Sequence, residues 1–203
     1  MEQTPPSRVD VAFPLQGRAL PRDHRLALAQ AVAQLVPWLA DDPHAAVHPV
    51  KLVQGSGEPA LLSARSRLTL RVARERAAEL QALAGSSLHV AGHEIVLGEP
   101  QLRELLPHTT LYAYFVDAGE ADEAGFLDAV GAELQQLDVS CHRVCGREQE
   151  WRGPQRALHG YSLMLHGLRA AAALRVLEHG LGAHRLMGCG VFVPHKSAAA
   201  VGD

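Results

Sequence analysis

Histidine is the side chain best suited to chemistry in this sequence, which contains 12 of them. An imidazole titrates near neutral pH, so it can take a proton from one group and give it to another. Two positions stand out: His24 follows Asp23 at the start of a predicted helix, and His48 precedes a proline where the chain enters a predicted strand. The partial positive charge of a helix N-terminus favours a bound phosphate and lowers the pKa of a nearby imidazole. The alternatives are a solvent-facing first-turn residue for His24 and a structural role for His48.

Residues 180–190 form the glycine segment, the sharpest local pattern in the chain. Its glycines are Gly180, Gly182, Gly188 and Gly190. Glycines let backbone N–H groups approach a phosphate without a clash from Cβ, and Arg185 and Lys196 could add positive charge. The alternative is a helix C-cap at Gly180 followed by a tight turn. Because the segment precedes a strand and lacks Gly-Lys-Ser/Thr, it is a poor match to a P-loop or a dinucleotide-binding loop.

Positive charge is concentrated in two parts of the chain. The formal net charge is −3, but residues 141–203 hold seven Arg and one Lys against four acids, a net of +4, so residues 1–140 carry −7. Residues 61–76 hold five Arg against one Glu, whereas residues 99–138 hold nine acids against Arg103. For nucleic-acid binding the distribution of charge matters more than the total. Arg outnumbers Lys 17 to 2, which fits bidentate phosphate contacts and equally fits a GC-rich genome.

An alternating strand is predicted over residues 65–72, where Arg65, Arg67 and Arg71 share one face and apolar residues the other. Alternate residues of a strand lie about 7 Å apart, which is close to one phosphate step of a nucleic acid. The row could therefore follow an RNA backbone; the alternative is a solvated outer face. Residues 146–154 are predicted to be a polar, irregular segment, and a second set of cations lies in or beside it: Arg143, Arg147 and Arg152. Trp151 in that segment could stack on a base or pack in the core.

The cysteines and the remaining histidines do not predict a metal site. Three cysteines are too few for a disulfide framework and fit a reducing cytoplasm. Cys141 and Cys145 flank His142, but a structural zinc site needs four ligands and a second pair is missing. His89 and His93 fit the polar face of a hairpin. We predict no metal and no cofactor and, because neither a long apolar stretch nor an N-terminal signal pattern is visible, a cytoplasmic protein.

The elements that must position these residues follow one order twice. In the first half, strands are predicted at 8–15, 47–53, 65–72 and 87–97 and helices at 23–39 and 74–83. In the second half, strands are predicted at 110–116, 139–144, 159–165 and 191–193 and helices at 122–137 and 168–178. Each half reads β-α-β-β-α-β, the ferredoxin-like order. The sequence therefore predicts an α+β protein of two tandem ferredoxin-like (RRM-like) domains, 1–100 and 107–203. This fold presents an open sheet face that often binds RNA, but the fold alone does not give a function.

The glycine segment resembles the glycine-rich loop of the repeat-associated mysterious protein (RAMP) superfamily, which also precedes the last strand of a second ferredoxin-like domain. Within that superfamily the chain is similar to the CRISPR repeat-cleaving endoribonucleases, and more narrowly to their myxobacterial subtype. The similarity spans roughly residues 8–196, and its matching segments are 11–17, 20–24, 47–49, 65–71, 111–113 and 188–196. The helix start at Asp23-His24 and the end at Pro194-His195-Lys196 favour the cleaving enzymes over their non-cleaving relatives.

The resemblance implies a metal-independent endoribonuclease that processes precursor CRISPR RNA. Such cleavage needs a base for the 2′-hydroxyl, an acid for the 5′-oxygen and positive charge for the phosphorane, and it leaves a 2′,3′-cyclic phosphate and a 5′-hydroxyl. In the family the catalytic histidine commonly lies at the start of the first helix, a place that His24 matches. His48 is the second catalytic candidate, since the second catalytic group varies between subtypes. Hydroxyl candidates with stronger structural alternatives are Tyr112, Tyr161 and Ser162.

The same resemblance implies the RNA-binding residues and the partners. The candidate RNA-binding residues are Arg65, Arg67, Arg71, Arg143, Arg147, Arg152, Gly182, Arg185, Gly188, Gly190, His195 and Lys196. The expected partners are CRISPR repeat RNA, the processed guide RNA and other Cas proteins of a type I interference complex, with no membrane. Two alternatives stay open: a non-catalytic RNA-binding subunit of the same superfamily, and a ferredoxin-like metabolite-binding or assembly protein, which the acidic first half favours slightly.

Overall fold

The computed structural model describes residues 5–55, 57–119 and 121–195. The chain divides into two compact units. The first comprises Met1–Glu104 together with Leu186–Gly188, and the second comprises Leu105–Arg185 and Cys189–Asp203. Each unit has its own cluster of buried apolar side chains. The sequence predicts domains 1–100 and 107–203; the units of the structure change after Glu104, and three residues of the glycine segment belong to the first unit.

The first unit is built on eight strands and one α-helix within the described residues. The strands are β1 (Arg8–Gln16), β2 (Ala19–Leu20), β3 (Ala46–Val47), β4 (Ala60–Leu61), β5 (Arg67–Ala73), β6 (Ser87–Val90), β7 (His93–Leu97) and β8 (Gln101–Glu104). The helical elements are α1 (Arg25–Leu35) and two 3₁₀ segments, Pro37–Asp41 and Arg74–Leu83. The main sheet has the order β3-β5-β1-β7-β6, with β8 beside β1, and β2 pairs with β4.

The two central strands of this sheet follow from their alternating sequences. Apolar residues of β1 and β5 point to one face, where they join α1 in the buried core, as Phe13, Leu70 and Val32 illustrate. The antiparallel register runs from Arg8 opposite Ala73 to Pro14 opposite Arg67. Strands β3, β5, β1 and β7 lie side by side in this sheet. They correspond to the second, third, first and fourth strands of a ferredoxin-like domain, and this is the strand order of that fold.

Three predicted elements of the first unit differ in the structure. The helix at residues 74–83 is a 3₁₀ segment, whose buried residues Ala77 and Leu80 have the three-residue spacing of that helix. The strand at 47–53 ends after Val47, because Pro49 lacks an N–H and the N–H of Val50 is bonded to a side chain. The strand at 65–72 begins only at Arg67, and β8 was not predicted.

The second unit repeats the same order of elements. It consists of β9 (Thr110–Asp117), α2 (Glu123–Gln136), β10 (His142–Arg152), β11 (Ala157–His166), α3 (Ala170–His179), a 3₁₀ turn (Arg185–Met187) and β12 (Val193–Pro194). Its sheet has the order β10-β11-β9-β12, again second–third–first–fourth. Apolar residues of both helices, such as Phe126 of α2 and Val176 of α3, share one core with β9 and β11. The prediction of an α+β protein with two ferredoxin-like halves is confirmed.

The polar segment 146–154 is the main difference in the second unit. It was predicted to be irregular, but residues through Arg152 belong to β10, which forms a hairpin with β11 and has a bulge between Cys145 and Glu148. Trp151 explains why this strand forms: it is buried and stacks on Phe115, with ring centroids 4.1 Å apart. The packing alternative for Trp151 is therefore the one observed. The last strand lies at residues 193–194 rather than 191–193.

Candidate functional site

His24 caps the N-terminus of α1, and its ring points into the protein. The side chain is 3% exposed. Its Nδ1 lies 2.9 Å from the carbonyl oxygen of Pro21, and the N–H of Val50 donates to Nε2 over 3.2 Å. A carbonyl can only accept and an N–H can only donate, so these two bonds select the neutral tautomer with the proton on Nδ1. Burial lowers the pKa of His24 below the ordinary value for histidine, which also favours the neutral ring.

Residues 48–50, the His-Pro segment, connect His24 to a buried ion cluster. The N–H of His48 bonds to Thr69 O over 2.9 Å, and its side chain, 13% exposed, places Nε2 3.4 Å from Asp10 Oδ1. Asp10 also accepts from Arg71, from Nε over 2.7 Å and from Nη2 over 2.9 Å. Burial alone would raise the pKa of the Asp10 carboxyl, but His48 and Arg71 together hold it well below its usual range. The His-Pro segment therefore contains one candidate histidine, His48, which lies beside an anion, and binds the other, the neutral His24, through Val50.

The predicted row of three cations on one strand face is not formed. Arg71 is 1% exposed, and it pairs with Asp10, which the register of β1 and β5 places directly opposite it. Arg67 begins β5, and its Nη1 donates to the carbonyl oxygens of Ala64 and Ser66. Arg65 precedes the strand in a turn and is exposed. Of the three, Arg65 is the one whose side chain is available to a ligand at the surface.

The glycine segment is held by close packing inside the protein. Gly188 has φ +85, and a Cβ there would lie 2.7 Å from Pro49 Cγ and 3.2 Å from Val47 O, both in the first unit with it. Gly190 has φ +62, and a Cβ there would overlap the carbonyl oxygen of Leu181. Both glycines are therefore required by their own backbone conformation and neighbours, whether or not a ligand is bound.

Hydrogen bonds within the second unit use several polar groups of the glycine segment. The N–H of Gly182 donates to Glu133 Oε2 over 2.8 Å, and the N–H of Gly190 donates to Phe115 O over 2.7 Å. Arg185 is buried and donates from Nη1 to Gly190 O over 3.2 Å. Gly180, with φ +64, is the C-cap of α3. The structural alternative for this segment, a helix C-cap followed by a tight turn, describes the observed geometry.

The cations predicted along residues 143–152 lie on the exposed edge strand β10. Arg143 donates from Nη1 to Leu127 O over 2.8 Å, and the N–H of Arg147 bonds to Ser162 Oγ over 3.1 Å. Arg152 is exposed at the end of the strand. The exposed ring of His195 lies 5.3 Å from that of Tyr112, and Lys196 lies outside the described residues. The side chains of β10 lie along one edge of the sheet in the second unit, and His195 follows β12 at the other edge.

Two of the hydroxyl candidates, Tyr161 and Ser162, are buried and make contacts inside the second unit. Tyr161 is buried and its ring lies 4.9 Å from Phe126, while buried Ser162 accepts the N–H of Arg147. None of Cys141, Cys145 and Cys189 forms a disulfide bond in the described part of the chain. Among the described residues, no group of three or more His, Cys, Asp or Glu side chains could hold a metal ion. In that same part of the chain, every helix is too short or too polar to cross a membrane.

Sequence reasoning missed the buried pair of Asp10 and Arg71 and the bond from Val50 to His24. One signal for the pair was present: Asp10 interrupts an apolar strand between Val9 and Val11, and a charge there requires a partner. The bond to Val50 had no such signal, since it joins residues 26 positions apart.

Comparisons with known proteins agree with this architecture. The family described as Cas6 Crispr matches residues 9–197. The CRISPR-associated endonuclease Cas6 of Myxococcus xanthus strain DK1622 is 37% identical over 194 residues, which is 95% of this chain and 84% of that protein. This relative and the family match both cover nearly the whole chain, so the similarity includes both units.

Solved structures share the fold at low sequence identity. A CRISPR associated protein Cas6 superposes with a TM-score of 0.68 at 11% identity, covering 93% of this chain and 100% of that one. Thermus thermophilus Cse3, bound to an RNA representing a pre-cleavage complex, superposes with a TM-score of 0.52 at 12% identity, covering 92% and 98%. At such identities the likeness concerns the fold alone. With the family match over residues 9–197, the chain belongs to the Cas6 family of CRISPR-associated proteins.

Proposed function

We propose that this protein is an endoribonuclease that cleaves CRISPR repeat RNA without a metal ion. Membership of the Cas6 family and 37% identity to a protein named as an endonuclease support cleavage. The T. thermophilus relative of the same fold holds RNA in its structure, which supports RNA as the substrate. The observation that carries the chemistry is the pairing of a neutral, buried imidazole, His24, with a second imidazole, His48, through the short His-Pro segment.

His24 is the proposed general base. Its Nε2 carries the lone pair, because Nδ1 is committed to Pro21 O. To act on RNA, Nε2 exchanges the N–H of Val50 for the 2′-hydroxyl of the ribose beside the scissile phosphate. The 2′-oxygen then attacks phosphorus, its proton passes to Nε2, and the bond from phosphorus to the 5′-oxygen breaks. The products are a 2′,3′-cyclic phosphate and a 5′-hydroxyl.

His48 is the proposed general acid. In the proposed mechanism His48 carries a proton beside the Asp10 carboxylate, which lies 3.4 Å from its Nε2. In that form His48 gives a proton to the departing 5′-oxygen, and its positive charge stabilises the phosphorane. Two imidazoles in contrasting environments, one buried among backbone groups and one beside a carboxylate, are suited to opposite proton-transfer roles.

Exposed cations are the proposed RNA contacts away from the scissile phosphate. Those with accessible side chains are Arg65, Arg143, Arg147, Arg152 and His195. Lys196, Gly182, Gly188, Gly190, Arg67, Arg71 and Arg185 remain proposed RNA-binding residues, although the last three have internal partners. The processed guide RNA and other Cas proteins of a type I interference complex are the proposed partners.

A second candidate function is RNA binding without cleavage. The observation that favours it is the occupation of both ring nitrogens of His24 by backbone groups in a ring that is 3% exposed. In this case His24 fixes the His-Pro segment to α1 and performs no proton transfer.

Cleavage in EDTA by variants of His24 separates these functions. End-labelled repeat RNA is incubated with the purified protein, and we expect one cut that leaves a cyclic phosphate. His24→Gln can still accept the N–H of Val50 but cannot take up a proton, so we expect a rate at least about 100-fold lower with RNA binding retained. His89→Ala, a change at an exposed hairpin histidine, is the matched control and keeps the wild-type rate.

The possible outcomes are distinct. Wild-type protein that binds repeat RNA and never cuts it supports the non-cleaving subunit. A His24→Gln variant that is folded by thermal melting and cuts at the wild-type rate contradicts the role of His24. A requirement for added Mg²⁺ contradicts the metal-independent mechanism.

A further inference from the structure

A cleft of about 840 Å³ lies in the second unit, at the end of the β10–β11 hairpin remote from its turn. It is formed where α2 ends, where β10 begins and where α3 begins. The charged and imidazole side chains that line it are Asp138, His142, Arg143, Arg169 and Arg175. Since β10 runs from His142 to Arg152, the cleft is about 33 Å, at 3.3 Å per residue, from the hairpin turn. It is therefore remote from Arg152, the cation at the other end of that strand.

Positive charge predominates in this cleft. Three arginines line it against one carboxylate, that of Asp138. Arg175 donates from Nη2 to Asp138 O over 2.6 Å and lies 3.3 Å from its Oδ2. That carboxylate is 97% exposed, so water screens most of its attraction. Arg169 is exposed, and in the described parts of the chain its guanidinium has no hydrogen-bond partner.

The position of Arg143 in the cleft depends on a glycine in α2. The guanidinium lies across the helix and donates from Nη1 to Leu127 O over 2.8 Å. A Cβ at Gly131 would overlap that same Nη1. Glycine is a poor helix former, yet here it sits in the middle of a 14-residue helix. The sequence of α2 is therefore adapted to hold this arginine in place.

Backbone groups and ring faces complete the cleft. Helix α3 starts with Arg169 as its N-cap and has no side-chain cap, so the N–H groups of its first turn remain donors for an anion. The ring of His142 stacks on that of His166, with centroids 4.8 Å apart. Guanidinium groups match the geometry of phosphate oxygens, and the volume is within the range of ligand pockets.

We propose that this cleft binds phosphates of the RNA backbone away from the cleaved bond, through Arg143, Arg169, Arg175 and the start of α3. The proposal rests on RNA being the substrate, as proposed above. The cleft contributes affinity and positioning and takes no part in proton transfer. Removing it therefore weakens RNA binding, whereas the cleavage rate at saturating protein stays the same.

Binding of 2′-O-methyl repeat RNA at increasing salt tests this assignment, because that RNA keeps its phosphates and cannot be cut. For Arg169→Ala we expect Kd to rise about three- to tenfold at low salt and the slope of log K against log salt to fall by about 1. Arg169→Lys restores most of the slope. Gly131→Ala removes no charge but displaces the Arg143 guanidinium, and we expect Kd to rise about two- to fivefold.

Arg103→Ala is the matched control, since Arg103 is an exposed arginine of β8 in the first unit; we expect less than about a twofold change. Wild-type protein that binds while Arg169→Ala and Gly131→Ala match it in Kd and slope overturns the cleft and leaves the proposed function intact. An equal loss for Arg103→Ala also overturns it, since the effect is then only that of total charge. Wild-type protein that fails to bind repeat RNA overturns both proposals.

Discussion

The His-Pro segment and the glycine segment differ in what their internal contacts explain. In the glycine segment, backbone conformation and packing account for Gly180, Gly188 and Gly190 completely, and Arg185 is used to close the turn. The His-Pro segment bonds to His24 through Val50, and its His48 lies beside the ion pair of Asp10 and Arg71. Packing alone does not require ionisable side chains at these positions. Residue patterns that the backbone already demands are therefore weak indicators of a ligand, whereas buried groups that can titrate are stronger ones.

Gly190→Ala should have the largest effect on stability. The new Cβ would overlap Leu181 O, and the residue would be held at φ +62, so we expect the free energy of unfolding to fall by more than about 3 kcal/mol. Urea denaturation measures it. Gly85→Ala is the control, because Gly85 also has a positive φ but nothing lies within 4 Å of its Cβ position, and we expect a loss of about 1 kcal/mol. Equal losses at the two sites would contradict the packing explanation of the glycine segment.

Asp10→Asn should come next. It leaves the buried Arg71 charge without its carboxylate, so we expect a loss of about 3 kcal/mol. Because the folded-state pKa of Asp10 lies well below its unfolded value, the wild-type contribution is complete above about pH 4, begins to decrease below it and is lost fully only below the folded-state pKa. Denaturation from pH 7 to pH 3 should show the stability difference between the two proteins beginning to narrow below about pH 4. Glu79→Gln, at an exposed ion pair, is the control, and a comparable loss there would count against the buried cluster.

A smaller effect is expected from protonation of His24. Its folded-state pKa is lowered, so the unfolded chain binds the proton more tightly and the wild-type protein loses stability as the pH falls below about 6.5. His24→Gln should lack this part of the pH dependence. Thermal melts at pH 7.5 and pH 5.5 measure it, with His89→Ala as the control that keeps the wild-type dependence. An unchanged slope in His24→Gln would show that another group is responsible.

The smallest effect is expected from Glu133→Gln in α2. The amide oxygen still accepts the N–H of Gly182, so stability should change by less than about 1 kcal/mol. If the glycine segment contacts phosphate, the loss of a negative charge beside it should lower the Kd for repeat RNA about twofold at low salt. Glu123→Gln, at an exposed position of the same helix, is the control. The same gain from both variants would indicate a general charge effect and no contact at the glycine segment.

Local patterns predicted the order of the elements because each strand or helix carries its own periodicity. The alternation in β1 and β5 and the helical spacing in α2 were sufficient for this. The prediction that residues 146–154 are irregular was wrong for a nonlocal reason. Trp151 of β10 stacks on Phe115, which lies on another strand and cannot be identified from the local sequence. The strand β8 was missed because its exposed residues show no alternation, and pairing with β1 defines it.

The chemistry of the candidate site was predicted only in part. The position of His24 at a helix start could be read from Asp23-His24 and the apolar spacing that follows. Its burial could not, because it depends on the N–H of Val50 in a distant segment. The burial of Arg71 also depends on strand register, since a shift of one residue would remove Asp10 from the opposite position.

The assignment of Leu186–Gly188 to the first unit has a consequence for fragments of this protein. Leu186 packs against the apolar core of that unit, and Gly188 fits over Pro49. A single cut after Glu104 would therefore leave the amino-terminal fragment without three residues of its own unit, and Pro49 would lose its neighbour Gly188. Expression of that fragment alone should give a protein that is less stable and more prone to aggregation. A synthetic peptide carrying Leu186–Gly188 and its neighbours should restore its stability.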